Sequence, residues 1–367
     1  MRIAVITRHA ITNYGSLLQA FATQQVLENM GHTCEIIDYI REDEHYHNLE
    51  KTLVSQKDNW SNNPIKKIAY LAIRQPESLL SGRRFENEQR KWLHLTKRYT
   101  SIEQLTKDKP RADIYLTGSD QVWGPVANGT LDKSYFLAFT SEHDKRIAYA
   151  ASFGRTDFSM ENEKFYKETL KKYSHISVRE DSALKIINSY GMDSVQVIDP
   201  TLLLDSKFWR KYTHAIKPSK YILLYQLHND KRLGAYAKKV AAEMNLPLIR
   251  ISPSLHQIIR EGRLIWCPSI RTFLSYIMNA TCMITDSFHG TAFAINFNIP
   301  FVEVLPNNGT TTRNISILKM TRLSEQILLN DNDIECAKRV IDFQNVNNIL
   351  KHKRAESISI LKRMIEE

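Results

Sequence analysis

A short polar segment between two apolar runs places the strongest constraint on the fold. The first run, Ala280 to Thr285, has the length and composition of a buried strand, and the second, Ala292 to Phe297, reads as a helix. Between them stand Asp286 and then Ser287-Phe288-His289-Gly290-Thr291. Free N–H groups and the positive end of the helix dipole suit this point to an anion. The alternative is a plain strand-to-helix turn with a capping residue, so other segments must decide.

The beginning of the chain shows the same alternation. Arg2 to Ile6 is predicted to be a strand, Leu17 to Met30 a helix and Cys34 to Tyr39 a second strand. This order is typical of a mononucleotide-binding unit, but the loop lacks GxGxxG, so dinucleotide binding is not supported. Further strands are predicted at 112–117, 146–152, 175–178, 194–198, 221–226, 248–251, 281–285 and 301–305, and helices at 162–172, 232–244 and 272–279, with another ending at residue 189.

The length of 367 residues indicates two domains. We predict an α/β class with two Rossmann-like domains and a cleft between them. The expected boundaries are 1–205 for the N-terminal domain, with a helical insertion at about 42–106, and 206–333 for the C-terminal domain, which a linker at 205–219 opens. A charged helical tail is expected at 334–367.

Charge and cysteine content narrow the function classes. The net charge of +10 is spread along the chain, and no nucleic-acid motif is present, so nucleic-acid binding is not expected. A weak peripheral contact with the inner membrane face remains open. No apolar run reaches the roughly 18 residues of a membrane span, and Met1 to Thr7 reads as a first strand rather than a signal peptide. The four widely spaced cysteines suggest neither a metal site nor disulfides, which fits a cytoplasmic location.

Polar residues recur at the carboxyl ends of the predicted strands, where ligands of open α/β sheets bind. Each has a simpler interpretation: Gly15 permits a tight turn, Asp120 caps a helix, Arg179 pairs with an acidic neighbour, and Asp199-Pro200 is a turn. His289 is the strongest candidate, because its position suits an imidazole to proton transfer at neutral pH. The set comprises Asn13, Gly15, Ser119, Asp120, Ser152, Arg179, Ser287 and His289.

Several short motifs in a fixed order resemble the polysaccharide pyruvyl transferase family over about residues 1 to 323. They are Asn13-Tyr14-Gly15-Ser16-Leu17-Leu18-Gln19-Ala20, Gly118-Ser119-Asp120-Gln121-Val122-Trp123, Tyr149-Ala150-Ala151-Ser152-Phe153-Gly154, Ile176-Ser177-Val178-Arg179-Glu180, Asp199-Pro200-Thr201-Leu202-Leu203-Leu204 and Thr285-Asp286-Ser287-Phe288-His289-Gly290-Thr291.

The resemblance implies a GT-B-like fold and phosphoenolpyruvate as the donor. The acceptor would be a sugar of a capsular, exo- or cell-wall polysaccharide, or its lipid-linked precursor, and the product a cyclic pyruvate ketal with release of phosphate. Similar chains carry an Arg-x-His triplet at the strand end where this chain has Ser287-Phe288-His289. Arg313 stands where such chains carry a later arginine and is expected to compensate.

A mechanism that fits this donor gives the candidate residues expected roles. His289 would protonate the donor, and Asp120 would act as base for an acceptor hydroxyl. No cofactor and no metal is expected. Donor contacts are expected from Arg179, Arg313, Ser287, Gly290, Thr291 and Ser152, and acceptor contacts from Asn13, Tyr14, Gly15, Ser16 and Ser119.

Two other functions remain compatible with the same sequence. A GT-B-type glycosyltransferase would place the diphosphate of a nucleotide sugar in the cleft. A non-catalytic glycan-assembly protein would explain the missing arginine of the triplet.

Overall fold

A computed structural model of the chain contains two parallel β-sheets, each packed between helices. It describes residues 1–57, 62–126, 129–217, 220–306 and 311–367. Residues 58–61 of the predicted insertion and 218–219 of the predicted linker lie outside this description.

The first sheet has six strands in the order β2-β1-β3-β4-β5-β6. Both of its faces are covered: Ile3 and Val5 of β1 belong to one apolar cluster, and Ala4 and Ile6 to another. Such burial on both faces is typical of parallel sheets. The strands are β1 Arg2–Ile6, β2 Thr33–Ile36, β3 Ile114–Thr117, β4 Lys145–Ala151, β5 His175–Val178 and β6 Val195–Gln196.

Among the described residues, six α-helices, all before residue 190, lie in the part of the chain that forms the first sheet. The first begins after Asn13, whose side chain accepts hydrogen bonds from the N–H groups of Gly15 and Ser16 and thereby caps it. They are α1 Tyr14–Asn29, α2 Leu49–Ser55, α3 Pro64–Trp92, α4 Ile102–Lys107, α5 Met160–Leu170 and α6 Asp181–Ser189.

The second sheet has five strands in the order β11-β10-β7-β8-β9. Its strands are β7 Ile222–Tyr225, β8 Leu248–Ser252, β9 Arg263–Trp266, β10 Cys282–Thr285 and β11 Phe301–Glu303. The later helices are α7 Pro200–Leu203, α8 Ser206–Arg210, α9 Lys231–Glu243, α10 Ile270–Met278, α11 Phe288–Phe297, α12 Thr312–Met320 and α13 Phe343–Glu366.

Each sheet has a topological switch point, where the chain reverses the direction in which it adds strands. In the first sheet this point lies between β1 and β3, and in the second between β7 and β10. Ligands of open α/β sheets bind at the carboxyl ends of strands beside such points. The fold therefore predicts a ligand site at the segments that follow β1, β3, β7 and β10.

Several sequence predictions differ from the observed elements. The interpretation of Asp199-Pro200 as a simple turn is wrong, because Asp199 caps α7. The predicted linker contains α8, which the buried Trp209 anchors. The strand predicted to reach Tyr39 ends at Ile36, after which only an isolated bridge joins Tyr39 to Tyr99. Strand β9 and helix α12 were not predicted at all.

The last helix, α13, joins the two halves of the molecule. Arg354 donates to the carbonyl of Leu202 at 2.6 Å and to the side chain of Asn296 at 3.1 Å, and Ser357 accepts from the N–H of Ile198. The domain boundaries inferred from the sequence remain a prediction. Among the residues that the structure describes, no helix has both the length and the apolar character needed to cross a membrane.

Candidate active site

A cleft of about 380 Å³ opens between the two sheets at their carboxyl edges. Both switch points contribute to its wall. The segments after β1 and β3, including the start of α1, supply residues such as Asn13, Ser16 and Asp120. The segments after β7 and β10, including the start of α11, supply His228 and His289. The polar residues that the sequence places at strand ends are thus brought together from both halves of the chain.

His289 is the second residue of α11. The preceding Ser287 caps this helix, because its hydroxyl accepts a hydrogen bond from the N–H of Gly290 at 3.2 Å. The imidazole lines the cleft although only 5% of the residue is exposed. Its Nε2 has no hydrogen-bond partner in the described part of the chain and lies 3.8 Å from Oδ2 of Asp199. This buried nitrogen is available to a ligand.

The start of α11 corrects one expectation about the donor site. The helix was expected to begin near residue 292, so that the N–H of Thr291 would face an anion. It begins at Phe288, and the N–H of Thr291 donates to the carbonyl of Ser287 at 2.9 Å inside the helix. The Thr291 hydroxyl donates to the buried Glu303. The N–H groups of Phe288 and His289, in the first turn, have no carbonyl partner within the helix and are the ones available to an anion.

Asp199 organises the floor of the site. One carboxylate oxygen accepts from the N–H and the hydroxyl of Thr201, at 2.9 and 2.7 Å. The other accepts from the Ser119 hydroxyl at 2.8 Å and from Nη1 of Arg179 at 2.9 Å. Burial raises the pKa of Asp199, but the His289 imidazole and the Arg179 guanidinium outweigh burial and hold that pKa far below its usual range. Asp199 is therefore ionised at neutral pH.

Arg179 lies beneath the cleft rather than in its wall. The guanidinium is 1% exposed and contacts three carboxylates: Asp199, Asp120 at 3.3 Å and Glu180 at 3.6 Å. Its other side faces the ring of Phe288 at 4.4 Å. Its predicted contact with the donor remains a prediction. In the observed arrangement this cation holds the carboxylates and the start of α11 in place.

Asp120 connects the floor to the cleft. It accepts a hydrogen bond from Ser16 at 2.7 Å and lies 3.8 Å from Nη1 of Arg313. Burial raises the pKa of its carboxyl, but Arg179 and the other nearby cations outweigh burial and hold the pKa well below its usual range. Its φ of 81° lies in the left-handed region, which costs a non-glycine residue about 1–3 kcal/mol. The surrounding contacts must supply the stability that maintains this conformation.

Arg313, near the start of α12, also lines the cleft. Burial and the repulsion from Arg179 lower the pKa of its guanidinium to about 10, so it keeps its charge at neutral pH. Arg313 Nε has no hydrogen-bond partner within the described residues. A cation with an unfilled donor faces the same space as His289.

Gly15 lies so close to His289 that no larger residue fits at this position. A Cβ placed on this residue would lie 2.2 Å from Nδ1 and 2.4 Å from Cγ of His289. The imidazole thus packs directly against the first turn of α1, where only a glycine leaves it room.

The remaining predicted residues lie outside the cleft wall. Tyr14 donates to the carbonyl of Pro268 at 2.8 Å and stacks on Phe273, so it joins the two halves instead. Ser152 is buried and donates to Glu180 at 2.7 Å. Ser119 and Gly290 are also buried, the first against Asp199 and the second against Thr285 and Tyr225. The predicted ligand contacts of these residues remain predictions.

Sequence reasoning missed a histidine–carboxylate pair in the cleft. His228 follows β7, and its Nδ1 lies 3.1 Å from Oδ2 of Asp286. Asp286 is 2% exposed and also accepts from the N–H groups of Leu227 and His228, at 2.7 and 2.9 Å. The only sequence signal was the position of His228 just after the strand predicted at 221–226.

Two arginines at the cleft were also missed. Arg8 follows β1 and donates to Glu44 at 2.6 Å, whereas the exposed Arg155 follows β4. In the described ranges, no group of three or more His, Cys, Asp or Glu side chains is arranged to hold a metal ion.

Comparison with known proteins identifies the family. A sequence profile described as polysaccharide pyruvyl transferase matches residues 13–309, which is most of the chain. The chain belongs to the polysaccharide pyruvyl transferase family. No curated relative matches it. The matched range includes the loops after β3, β7 and β10, and hence much of the wall of the cleft.

Solved structures with the same architecture share little sequence with this pyruvyl transferase family member. A UDP-GlcNAc 2-epimerase from Methanocaldococcus jannaschii, in complex with UDP-GlcNAc and UDP, is 15% identical, covering 100% of this chain and 99% of that one with a TM-score of 0.52. The Neisseria meningitidis epimerase bound to UDP-GlcNAc is 10% identical, covering 100% and 99%, with a TM-score of 0.51. These are GT-B folds, so the predicted GT-B-like architecture is confirmed.

Proposed function

We propose that this protein transfers the pyruvyl group of phosphoenolpyruvate to two hydroxyls of one sugar, forming a cyclic ketal and releasing phosphate. The sugar belongs to a capsular, exo- or cell-wall polysaccharide or to its lipid-linked precursor. The observation that carries the proposal is the unpartnered Nε2 of His289, buried in a cleft between two switch points in a chain of the pyruvyl transferase family.

The donor brings a carboxylate and a phosphate, and both must be held by cationic or N–H-rich contacts when they leave water. Arg313 supplies one buried cation with a free donor. The first amides of α11 and the helix dipole supply a second anion site beside His289. Arg155 at the cleft mouth supplies a third positive group. In this proposal Arg313 takes the place of the arginine that the family triplet carries where this chain has Ser287.

The reaction begins with a proton transfer from His289 to the methylene carbon of the donor. The carbon–carbon double bond supplies the electron pair, and the central carbon becomes cationic. A sugar hydroxyl adds to this carbon and loses its proton. The bond from that carbon to the phosphate oxygen then breaks, phosphate leaves, and a second hydroxyl of the same sugar closes the ring. Acid catalysis of this kind contributes about 10²–10⁴-fold.

Each hydroxyl that adds must give up a proton. Asp120 is the predicted base, and it accepts a hydrogen bond from Ser16, a predicted acceptor contact. Its pKa lies well below the usual range, however, and a weakly basic group removes protons poorly. We propose that His228 accepts one proton, because the buried Asp286 orients its Nδ1 and leaves Nε2 for the acceptor. The other proton goes to His289, whose imidazole is neutral after it has protonated the donor. Asp120 then serves mainly to hold Ser16 and Arg313.

The central test combines donor binding with product analysis. Purified protein is titrated with phosphoenolpyruvate by calorimetry, then incubated with the donor and a panel of lipid-linked and soluble saccharides, and products are examined by mass spectrometry. We expect donor binding, phosphate release and a ketal product. The His289→Gln variant should bind the donor but lose turnover, whereas a His175→Gln variant, changed in β5 away from the cleft, should behave as the wild type. A well-folded protein that does not bind phosphoenolpyruvate contradicts the proposal.

The same protein also tests the two other functions. A ligand at 100 times its Kd stabilises the fold by about 2.7 kcal/mol, which a thermal-shift screen detects. Stabilisation by UDP- or GDP-sugars without any by phosphoenolpyruvate would identify a glycosyltransferase. A His289→Ala variant that retains full biological activity would identify a non-catalytic assembly protein.

A further inference from the structure

Helix α3 carries an apolar stripe on the side that faces solvent. Ile65, Ile68, Ile73 and Leu80 are 80%, 68%, 69% and 52% exposed. At 3.6 residues per turn, their spacing of 3, 5 and 7 residues spreads them over a sector of about 140°, and Pro76 interrupts the helix between Ile73 and Leu80. A surface helix normally turns such a stripe toward the core, so the reversed orientation indicates an interaction surface.

A neighbouring segment extends this apolar surface. Ile258 and Ile259, 64% and 89% exposed, belong to a short 3₁₀ turn at Leu255–Ile259. His256 of that turn contacts Arg74 and Glu77 of α3, the latter at 3.2 Å. We call the exposed residues of the two segments, Ile65, Ile68, Ile73, Leu80, Ile258 and Ile259, the isoleucine face.

The charge around the isoleucine face is mainly positive, although Glu261 follows Arg260. Residues 62–84 contain five basic residues and a single acidic one, Glu77, which is buried. Lys66 and Lys67 are exposed beside Ile65 and Ile68, and Arg260 follows Ile259. Exposed apolar side chains flanked by lysine and arginine match the interface of a bilayer that contains anionic lipids.

We propose that the isoleucine face docks the protein on an anionic membrane surface. A second copy of the chain fits less well, because a two-fold contact through this face would bring its lysines together. The face also stands close to the cleft: Arg260 donates to Asn229 at 2.5 Å, and Asn229 follows the cleft residue His228. If the acceptor is lipid-linked, as in the proposed function, docking here brings the cleft near the membrane surface that carries it. The docking itself does not depend on the identity of the donor.

The test is sedimentation with vesicles of phosphatidylethanolamine and phosphatidylglycerol, compared with vesicles of phosphatidylcholine. We expect binding to the anionic vesicles that weakens as salt rises. The triple variant Ile65→Ser/Ile68→Ser/Ile73→Ser should lower the partition coefficient by about tenfold or more, because it removes apolar area from the interface. The control variant Met160→Ser/Leu329→Ser/Val340→Ser changes three exposed apolar residues elsewhere and should bind as the wild type does.

Three results would overturn the proposal. The wild type fails to bind anionic vesicles, the triple variant binds as well as the wild type, or the wild type is a dimer that the triple variant converts to a monomer. In that last case the face serves a second copy of the chain. Donor binding in solution should be the same in the triple variant and the wild type, so failure of the docking proposal and failure of the proposed reaction are distinguishable.

Discussion

Gly15→Ala provides a direct test of how His289 is held. The added Cβ would lie 2.2, 2.4 and 2.6 Å from three atoms of the His289 side chain, whereas ordinary contacts lie at 3.4–4 Å. The imidazole must therefore move by about 1 Å or the first turn of α1 must shift. Overpacking of this kind costs about 1–3 kcal/mol. If the imidazole moves, we expect activity to fall by up to the 10²–10⁴-fold that an acid catalyst contributes.

A double-mutant cycle separates this clash from other effects of alanine. The His289→Gly substitution removes all three of the nearest atoms, so the penalty for Gly15→Ala should shrink by about 1–3 kcal/mol in that background. Alanine also favours a helix over glycine by up to about 1 kcal/mol, which lowers the residual cost further. Urea unfolding of the four proteins measures the coupling energy, and phosphate release measures the activity of the single variant.

Two outcomes would refute this reasoning. The first is a Gly15→Ala protein that is as stable and as active as the wild type. The second is an equal loss of stability with and without the His289 side chain, because the clash would then lie elsewhere.

Three further predictions concern ionisable side chains. Burial raises the pKa of Glu303 from 4.5 to about 8. The stability that the protonated form contributes, up to about 5 kcal/mol, is fully present below pH 4.5 and is lost progressively as the pH rises from there through about 8, so Glu303→Gln should flatten the unfolding free energy over that range. Asp199→Asn leaves the buried Arg179 without one of its carboxylates and should cost about 3 kcal/mol in urea unfolding; a loss below about 1 kcal/mol would contradict the role assigned to it. His228→Ala should lower kcat much more than the affinity for phosphoenolpyruvate, and Asp286→Asn should lower kcat in the same way; unchanged kcat in both would exclude the proposed base.

The alternation of strands and helices was predictable because parallel strands that are buried on both faces have nearly continuous apolar sequences. Strand β9 escaped prediction because it is an edge strand, preceded by Gly262 and only partly buried. The pattern of α12, Thr312–Met320, is too polar at its start to stand out as a helix. In both cases the tertiary position, rather than the local sequence, decides the structure.

The sequence could predict which residues lie at the carboxyl ends of the strands, but not how their side chains are arranged. Parallel strands bring their carboxyl ends to one edge, so His289 and Asp120 could be expected near each other. The orientation of the Arg179 side chain could not be predicted, because it depends on the three carboxylates that surround its guanidinium. His228 lies in a loop without a motif, and only the switch point at β7 and β10 reveals its place beside Asp286.

The position of His289 depends on both halves of the molecule. Its helix belongs to the second sheet, but its imidazole packs on Gly15 and lies 3.8 Å from Asp199, both from the part of the chain that forms the first sheet. The neighbouring Phe288 faces Arg179 in the same way. Any separation of the two sheets would withdraw the His289 imidazole from these contacts and leave Arg179 without its aromatic partner. The proposed acid, His289, therefore has its observed surroundings only when the two sheets keep their observed arrangement. Substitutions at the contact between the sheets should change kcat even where the substituted residue does not contact phosphoenolpyruvate.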